Sequence, residues 1–278
     1  NVEFHNAKVP DQNGAGIRLD GGNLVLRNTG FFDNENGILG GVGGTTVTIE
    51  RSEFARNGFG DGYTHNLYIG HVNRLTVVAS YFHQAKVGHN LKSRARENII
   101  ENSYFMDGPT GTASYLLDFP NGGIVVLRGN LLQKGPAAQN SISVSYGAEG
   151  IQWPTNTLTL VHNTLVSTRG GGTFLYAPAS TQQVALRGNL FAGNGTSLIA
   201  GFPQGSVIQQ SNFTTSAANF SGADAIANPN FWPAASIHGQ LALANAIDTA
   251  YVNDAPRPFV LRPITGTTRM IGALQSAP

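Results

Sequence analysis

The stretch "IENSYFM", residues 100–106, contains a pattern that recurs along most of the chain. A run of mainly apolar residues is followed by a small polar residue, here Ser103, and two places later by a large apolar one, here Phe105. Self-similarity at a nearly fixed spacing is typical of repeat architectures. The other segments of this form are "LRNTGFF" (26–32), "IERSEFA" (49–55), "VASYFHQ" (78–84), "LRGNLLQ" (127–133), "VHNTLVS" (161–167), "LRGNLFA" (186–192) and "QQSNFTT" (209–215).

Each unit offers one polar and one apolar position for stacking. Gly or Asn punctuates nearly every turn, which leaves no room for a helix of useful length. When such units stack, like residues lie above like, so the polar residues form a hydrogen-bonded ladder and the apolar ones fill the core. The polar residues are Thr29, Ser52, Ser80, Ser103, Asn130, Asn163, Asn189 and Ser211, and their apolar companions are Phe31, Phe54, Phe82, Phe105, Leu132, Leu165, Phe191 and Phe213.

The length of the repeat selects among the repeat folds. A four-stranded propeller blade needs about 40 residues or more, whereas a coil of three short strands needs about what is found. In-phase recurrence also argues against a β-sandwich of merely alternating strands. We therefore predict an all-β fold, a right-handed parallel β-helix (a solenoid) of about eight or more coils. It would occupy residues 1–220, and residues 221–278 would form a C-terminal closing segment packed on the helix.

Composition narrows the classes of function. The chain has 278 residues, of which 41% are hydrophobic and 12% charged, with a net charge of +1 and no cysteine. The apolar fraction excludes a disordered chain, and the balanced charge argues against a nucleic-acid-binding protein. The absence of cysteine excludes disulfides, thiol catalysis and thiolate metal sites. No apolar run reaches membrane-spanning length, so we expect no membrane insertion.

The C-terminal stretch "LALANAIDTAYVNDAPRPFVLRPITGTTRMIGALQ", residues 241–275, carries an "AID", an Arg-Pro and an "IGA" ending. Together with the repeat, it resembles the right-handed β-helix region family of the pectate-lyase-like superfamily. The resemblance implies an exported bacterial protein, secreted or periplasmic. The opening "NVEFHNAKV" is typical of the middle of the pattern, so we expect that either a removed leader or a further part of the same protein precedes Asn1. It is specific for fold and weak for function, since this scaffold carries lyases, epimerases, hydrolases and phage tailspikes.

A second strand in each unit indicates which side chains face outward. Side chains alternate along a strand, so the neighbours of an inward column point to solvent. The inward column is predicted as Ile17, Ile38, Leu67, Leu91, Leu116, Ile142, Phe174 and Leu198, and the outward set as Asn66, Tyr68, Asn90, Lys92, Arg94, Tyr115, Leu117, Ser141 and Ser143. The repeated "HNL" then stacks His65 on His89 and Asn66 on Asn90.

Residues 83–96 contain Lys86, Lys92, Arg94 and Arg96 but no carboxylate. In a chain with few charges, this concentration predicts a groove for an anionic polymer. The alternative is that Lys and Arg merely protect a solvent-facing sheet. His65 and His89 have inward parity, which favours a structural role, but they lie at strand entries where a turn can direct a side chain outward.

The types of residue available favour one chemistry. Hydrolysis of a glycoside needs paired carboxylates, and this face offers only Asp118, with inward parity, and Glu149. A calcium site also needs carboxylates, so we expect no cofactor, with calcium or a site at His65, His89 and Asp118 as the less favoured alternative. β-Elimination from a uronate instead needs a group that neutralises the carboxylate, a base and an acid, which cationic, amide, His and Tyr side chains supply.

We therefore predict a polysaccharide lyase that cleaves an acidic, uronate-containing polysaccharide, its expected partner. A uronate C5-epimerase or a non-catalytic carbohydrate-binding or structural β-helix would leave nearly the same sequence signal. Metal-independent lyases and epimerases on this scaffold use similar sets of residues, which is what the resemblance implies here. The catalytic candidates are Lys92, Arg94, His65, His89, Tyr68 and Tyr115, and the substrate-binding candidates are Asn66, Asn90, Arg96, Asp118, Tyr146 and Glu149.

Overall fold

A computed structural model describes residues 1–201, 203–243, 253–264 and 269–275. It confirms an all-β right-handed parallel β-helix of about eight turns. Three parallel sheets run along the helix, and each coil contributes one strand to each sheet. The "AID" of residues 246–248 lies outside the described residues.

Strands are numbered along the chain. The first sheet contains β1 (Val2–His5), β4 (Thr29–Phe32), β7 (Glu53–Ala55), β10 (Tyr81–His83), β13 (Tyr104–Met106), β16 (Leu131–Lys134), β19 (Thr164–Ser167), β22 (Leu190–Gly193) and β25 (Phe213–Thr215). The second contains β2 (Ala15–Leu19), β5 (Asn36–Gly40), β8 (Leu67–Ile69), β11 (Leu91–Ser93), β14 (Leu117–Phe119), β17 (Ile142–Tyr146), β20 (Gly172–Tyr176) and β23 (Thr196–Ala200). The third contains β3 (Leu24–Arg27), β6 (Thr46–Glu50), β9 (Arg74–Val78), β12 (Glu97–Glu101), β15 (Ile124–Arg128), β18 (Thr157–Val161), β21 (Gln183–Arg187) and β24 (Ser206–Gln210).

The remaining elements belong to the C-terminal segment. A short 3-10 helix spans Ala217–Asn219, and the helix α1 spans Ala235–Leu241. Two antiparallel pairs follow, β26 (Ala242–Leu243) with β29 (Arg269–Met270) and β27 (Asn253–Arg257) with β28 (Val260–Pro263). Among the described residues, no helix is long and apolar enough to cross a membrane.

The predicted polar ladder forms over seven of its eight positions. The amide N–H of each residue from Thr29 to Asn163 donates to the side-chain oxygen of the next member, for example Asn130 N–H to Asn163 Oδ1 at 2.9 Å. At the last position the prediction is wrong by one residue, because Asn189 bonds Asn212 rather than Ser211. A buried asparagine satisfies both donor and acceptor needs of its neighbours, which suits it to this column.

The apolar column forms the centre of the core. The rings of Phe31, Phe54, Phe82 and Phe105 stack with centroids 4.5–4.9 Å apart, and Phe4 extends the stack by one coil. At the far end Phe191 pairs with Thr214, so the predicted companion Phe213 is wrong by the same single residue as Ser211.

The C-terminal segment packs on the outer face of the first sheet. Tyr104, Leu131 and Leu190 of that face form a second buried apolar cluster with Phe231 and Leu241 of the segment. The face would otherwise expose a contiguous apolar surface, which soluble proteins rarely do. The boundary between residues 220 and 221 stays a prediction.

Candidate functional site

The outer face of the second sheet carries a row of polar side chains in register. Lys92 is paired with Tyr68 on one side and with Asp118 on the other, and Asp118 with Ser145. Because residues paired in parallel strands point the same way, these four side chains lie on one face. The prediction that Lys92 and Tyr68 share a face is confirmed.

The register also corrects two predicted orientations. Leu91 pairs with Leu117 rather than with Leu116, so Leu117 faces the core and Asp118 faces outward. The prediction of an outward Leu117 and an inward Asp118 is therefore wrong. A slip of one residue exchanges the two faces of a strand.

Tyr146 is also not at the surface. Its side chain is fully buried in the core cluster, and its hydroxyl donates to the carbonyl oxygen of Gly123 at 2.7 Å. The expectation that Tyr146 lies at the rim and contacts substrate is wrong, because this phenol is used to satisfy a backbone carbonyl inside the coil.

Asn66 and Asn90 likewise belong to the interior. Both are fully buried, and Asn66 Nδ2 donates to Asn90 Oδ1 at 2.8 Å as part of a second amide ladder that also includes Asn34 and Asn57. The prediction that they face solvent and bind substrate is wrong. Their amides bond neighbouring coils, as buried amides must if their polar atoms are to be satisfied.

The repeated histidine forms an aromatic stack at the strand entries. The rings of His65 and His89 lie 4.7 Å apart, and Tyr115 stacks on His89 at 4.9 Å. Gly88 makes the close approach possible, since a Cβ there would lie 1.8 Å from the carbonyl oxygen of Thr64. Tyr115 thus joins the site from a turn rather than from a strand position.

Backbone hydrogen bonds assign the histidine tautomers. His65 Nδ1 accepts from the His89 amide at 3.0 Å, and His89 Nδ1 accepts from the Tyr115 amide at 3.3 Å. In each neutral ring, therefore, the proton is on Nε2. Burial, reinforced by Lys92, lowers the pKa of His65 to about 3, and burial together with His65 holds the pKa of His89 well below its usual value. Both rings are neutral N–H donors near pH 7.

Asp118 lies at the centre of the site. Its Oδ2 is 3.4 Å from His89 Nε2 and 3.6 Å from Lys92 Nζ, and its side chain is only 3% exposed. Burial raises the pKa of Asp118 to about 6 against the opposing charge of Lys92. A hydrogen bond with Ser145, the paired residue of the next strand, also lowers this pKa but does not cancel the effect of burial.

A turn two coils after Lys92 brings a second carboxylate to this lysine. Glu149 Oε1 lies 2.6 Å from Lys92 Nζ, and Glu149 Oε2 lies 2.5 Å from Arg94 Nη2. Partial burial would raise the pKa of Glu149, but hydrogen bonds from these two cations outweigh it and lower the pKa. Asp118 and Glu149 thus both lie within ion-pair distance of Lys92, the first from a strand and the second from a turn.

Arg94 is held by three different partners. Its Nε donates to Tyr68 Oη at 3.0 Å, its Nη1 to Asn121 Oδ1 at 2.5 Å and its Nη2 to Glu149. The guanidinium carbon also lies 5.9 Å from the centroid of the Tyr68 ring, within cation–π range. Sequence reasoning did not find Asn121, which follows the strand in a turn. The only sign of Asn121 in the sequence is that a polar residue stands at that turn, one coil after the basic residues 86–96.

Arg96 lies outside this cluster. Its exposed side chain lines a separate shallow cleft with Glu97, Ile124 and Pro154, beyond the end of β11. We call the cluster that the structure brings together the second-sheet site. It contains Asn121 and eight residues of the predicted site: Tyr68, Lys92, Arg94, His65, His89, Tyr115, Asp118 and Glu149.

Within the described residues, no group of three or more His, Cys, Asp or Glu side chains is arranged to hold a metal ion. The predictions about calcium and other cofactors remain to be tested by experiment. Neither a protein-family model, nor a curated protein, nor a solved structure matches this chain. The resemblance to the pectate-lyase-like superfamily therefore stays a prediction from the sequence.

Proposed function

We propose that the chain is an exported enzyme that binds an acidic, uronate-containing polysaccharide at the second-sheet site and cleaves it by β-elimination. The observation that carries this proposal is that Lys92 and Arg94 together hold one carboxylate, that of Glu149, at 2.6 and 2.5 Å. Charge-assisted hydrogen bonds to a carboxylate are what a uronate would require. The same interaction withdraws charge from the uronate and acidifies its C5 proton.

The remaining groups can supply the proton transfers. Asp118 has a pKa of about 6, so it is ionised at neutral pH and basic enough to accept the C5 proton. Tyr68 Oη accepts a hydrogen bond from Arg94, which leaves its own proton for the departing oxygen at C4. The proton leaves C5, the C4–O bond breaks, and a C4–C5 double bond forms. Lys92 is the alternative assignment of the base.

His65 and His89 take a different role in this proposal. Their Nδ1 atoms already accept backbone hydrogen bonds, so neither ring offers a free lone pair for proton abstraction. His89 Nε2 lies 3.4 Å from Asp118 Oδ2 and helps to position this carboxylate, while the His65 ring stacks on that of His89. Their stack with Tyr115 gives one side of the site an aromatic surface.

The first test is a screen of polygalacturonate, alginate and glycosaminoglycans for the ultraviolet absorbance of an unsaturated product. We expect one class of polyuronate to be cleaved. Arg94→Met should raise the KM and reduce its salt dependence, because screening acts on the lost charge. Activity should survive a chelator. Inhibition by a chelator that calcium reverses would overturn the metal-independent mechanism.

A second candidate function is hydrolysis, and one observation favours it. Asp118 and Glu149 flank Lys92 with pKa values displaced in opposite directions, which is how an acid and a base are distinguished at a glycosidase site. New reducing ends without ultraviolet absorbance would support hydrolysis. Exchange of the C5 proton without cleavage would support an epimerase, and binding without any reaction would support a carbohydrate-binding module.

A further inference from the structure

We infer that Glu149 is an internal competitor: its carboxylate fills a receptor made by Lys92 and Arg94, and a ligand's carboxylate must displace it to bind. The inference rests on the proposed binding of an acidic polysaccharide and adds a residue that limits its affinity. A carboxylate at the same pair of donors is also chemically the group that a uronate would present.

The receptor does not depend on Glu149 for its shape. Arg94 keeps its Nε bond to Tyr68 and its Nη1 bond to Asn121 when Nη2 is released. Lys92 keeps Asp118 within 3.6 Å. Asn121 is itself fixed, because its Nδ2 donates to the carbonyl oxygen of Gly150 at 3.1 Å. A site that keeps its geometry after losing one ligand binds a replacement without reorganisation.

The carboxylate of Glu149, in contrast, can be displaced without disturbing other contacts. Its side chain is 44% exposed, and among the described residues its carboxylate contacts only Lys92 and Arg94. The backbone of its turn is fixed, because the Glu149 amide donates to the carbonyl oxygen of Pro120 at 3.1 Å and the Gly150 carbonyl accepts from Asn121. Release of the carboxylate therefore needs only a change of side-chain rotamer.

Displacement also changes access to the centre of the site. With Glu149 in place the side chains of Lys92 and Asp118 are only 11% and 3% exposed. The proposed base is thus covered in the same state in which the receptor is filled. A uronate that replaces the Glu149 carboxylate is brought next to the aspartate, so binding and access are coupled through one residue.

The test is the affinity of Glu149→Ala for short galacturonate and mannuronate oligomers, measured by calorimetry. Apparent affinity scales with the fraction of molecules whose receptor is free. A receptor that Glu149 fills in about 90% of molecules would therefore show a Kd about tenfold lower once the carboxylate is removed. The matched control is Glu97→Ala, which makes the same change in net charge and breaks a carboxylate–arginine pair of 2.7 Å on the third sheet. We expect that control to change Kd by less than about twofold.

Each result has one meaning for the inference. Tighter binding in Glu149→Ala alone supports it, and tighter binding without cleavage supports it while rejecting the lyase. Equal or weaker binding in Glu149→Ala, with the wild type still cleaving a polyuronate, overturns it and leaves the lyase intact. An equal gain in affinity in Glu97→Ala would mean that net charge alone explains the effect, and it would overturn the inference. A complete lack of binding by every variant would also overturn the inference.

Tryptophan fluorescence gives a second readout that needs no ligand. The chain has two tryptophans. Trp153, a few residues after Glu149, donates from Nε1 to the carbonyl oxygen of Arg94 at 3.1 Å, while Trp232 packs near His238 in the closing segment. In a Trp232→Phe background, Glu149→Ala should leave acrylamide quenching of Trp153 nearly unchanged, because the receptor keeps its shape without the carboxylate. A marked increase in quenching would mean that the receptor needs Glu149 to hold its shape, against the inference.

Discussion

Over the same three coils, the outer face of the first sheet carries Tyr81, Tyr104 and Leu131, and that of the second sheet carries Lys92, Asp118 and Ser145. The first face is apolar and covered by the C-terminal segment, so its burial stabilises the fold.

The second face is charged and nearly as buried, but it is not arranged for stability. Burial raises the pKa of Asp118 to about 6, so its ionised form is held at a cost to the folded state. The outward-facing residues of the same coils therefore have different roles on the two sheets. One face contributes to the free energy of folding, whereas the other keeps charged groups in a costly arrangement that fits a binding or catalytic role.

The largest expected effect separates the two faces by activity. Lys92→Met should lower turnover of a polyuronate roughly 100-fold to 1,000-fold, the usual loss when one group that stabilises charge in the transition state is removed. The fold should persist, since the aliphatic stem is kept, as circular dichroism would check. Lys86→Met, which removes a cation paired with Asp33 elsewhere, is the control and should retain activity. Full turnover in Lys92→Met would remove this lysine from the mechanism.

The next effect tests the covered face by stability. Leu131→Ala should lower the free energy of unfolding by about 2–5 kcal/mol, because it leaves a cavity beneath the C-terminal segment. Leu131 is fully buried there, whereas Val25 of β3 is 54% exposed, so Val25→Ala should have little effect. Urea unfolding measures both variants. Equal, small losses would mean that the segment does not stabilise the first sheet.

A pH-dependent effect tests the strain on the second face. Asp118 has a folded pKa of about 6 against an ordinary 3.8, so the folded state binds this proton more tightly than the unfolded state does. Its ionisation therefore destabilises the fold progressively from about pH 4 to pH 6. Asp118→Asn removes this loss, and its stability relative to the wild type should rise by roughly 3 kcal/mol between pH 4 and pH 7.

The control for this pH effect has the opposite sign. Partial burial alone would raise the pKa of Asp33, but Arg56 and Lys86 hold it below its ordinary value. Asp33→Asn should therefore lose stability relative to the wild type as the pH rises from 3 to 7. Chemical unfolding at several pH values measures both aspartates. The same sign for both would contradict the environment assigned to Asp118.

The smallest effect concerns a charged pair with no part in the site. Arg27 and Glu50 form a 2.8 Å ion pair on the exposed outer face of the third sheet. Arg27→Ala should change the free energy of unfolding by about 0–1 kcal/mol, because solvent screens exposed pairs. A larger loss would mean that charged pairs stabilise this solenoid generally, which would weaken the contrast drawn for the second sheet.

The site was only partly predictable from the sequence. Lys92 and Tyr68 were found because they lie on two adjacent strands whose register the repeated "HNL" sets, and Arg94 because it follows the second strand directly. In the next coil the sequence pattern predicts Leu116 as the inward residue, whereas the structure places Leu117 there. This difference of one residue exchanges inward and outward positions, so the pattern wrongly predicts Asp118 as a core residue. A turn before the strand can hold one more residue without changing the hydrophobic pattern, so the pattern does not fix the register there.

What the sequence alone determined is the solenoid: its three strands per coil, its Phe stack and all but the last position of its polar ladder. These features follow from residues that contact their own equivalents one coil away, so the repeat itself carries the information. What only the tertiary structure decided is the pairing of Glu149 with Lys92 and Arg94 and of Asn121 with Arg94. Those contacts join turns to strands of an earlier coil, where no periodicity relates the partners and only the path of the chain brings them together.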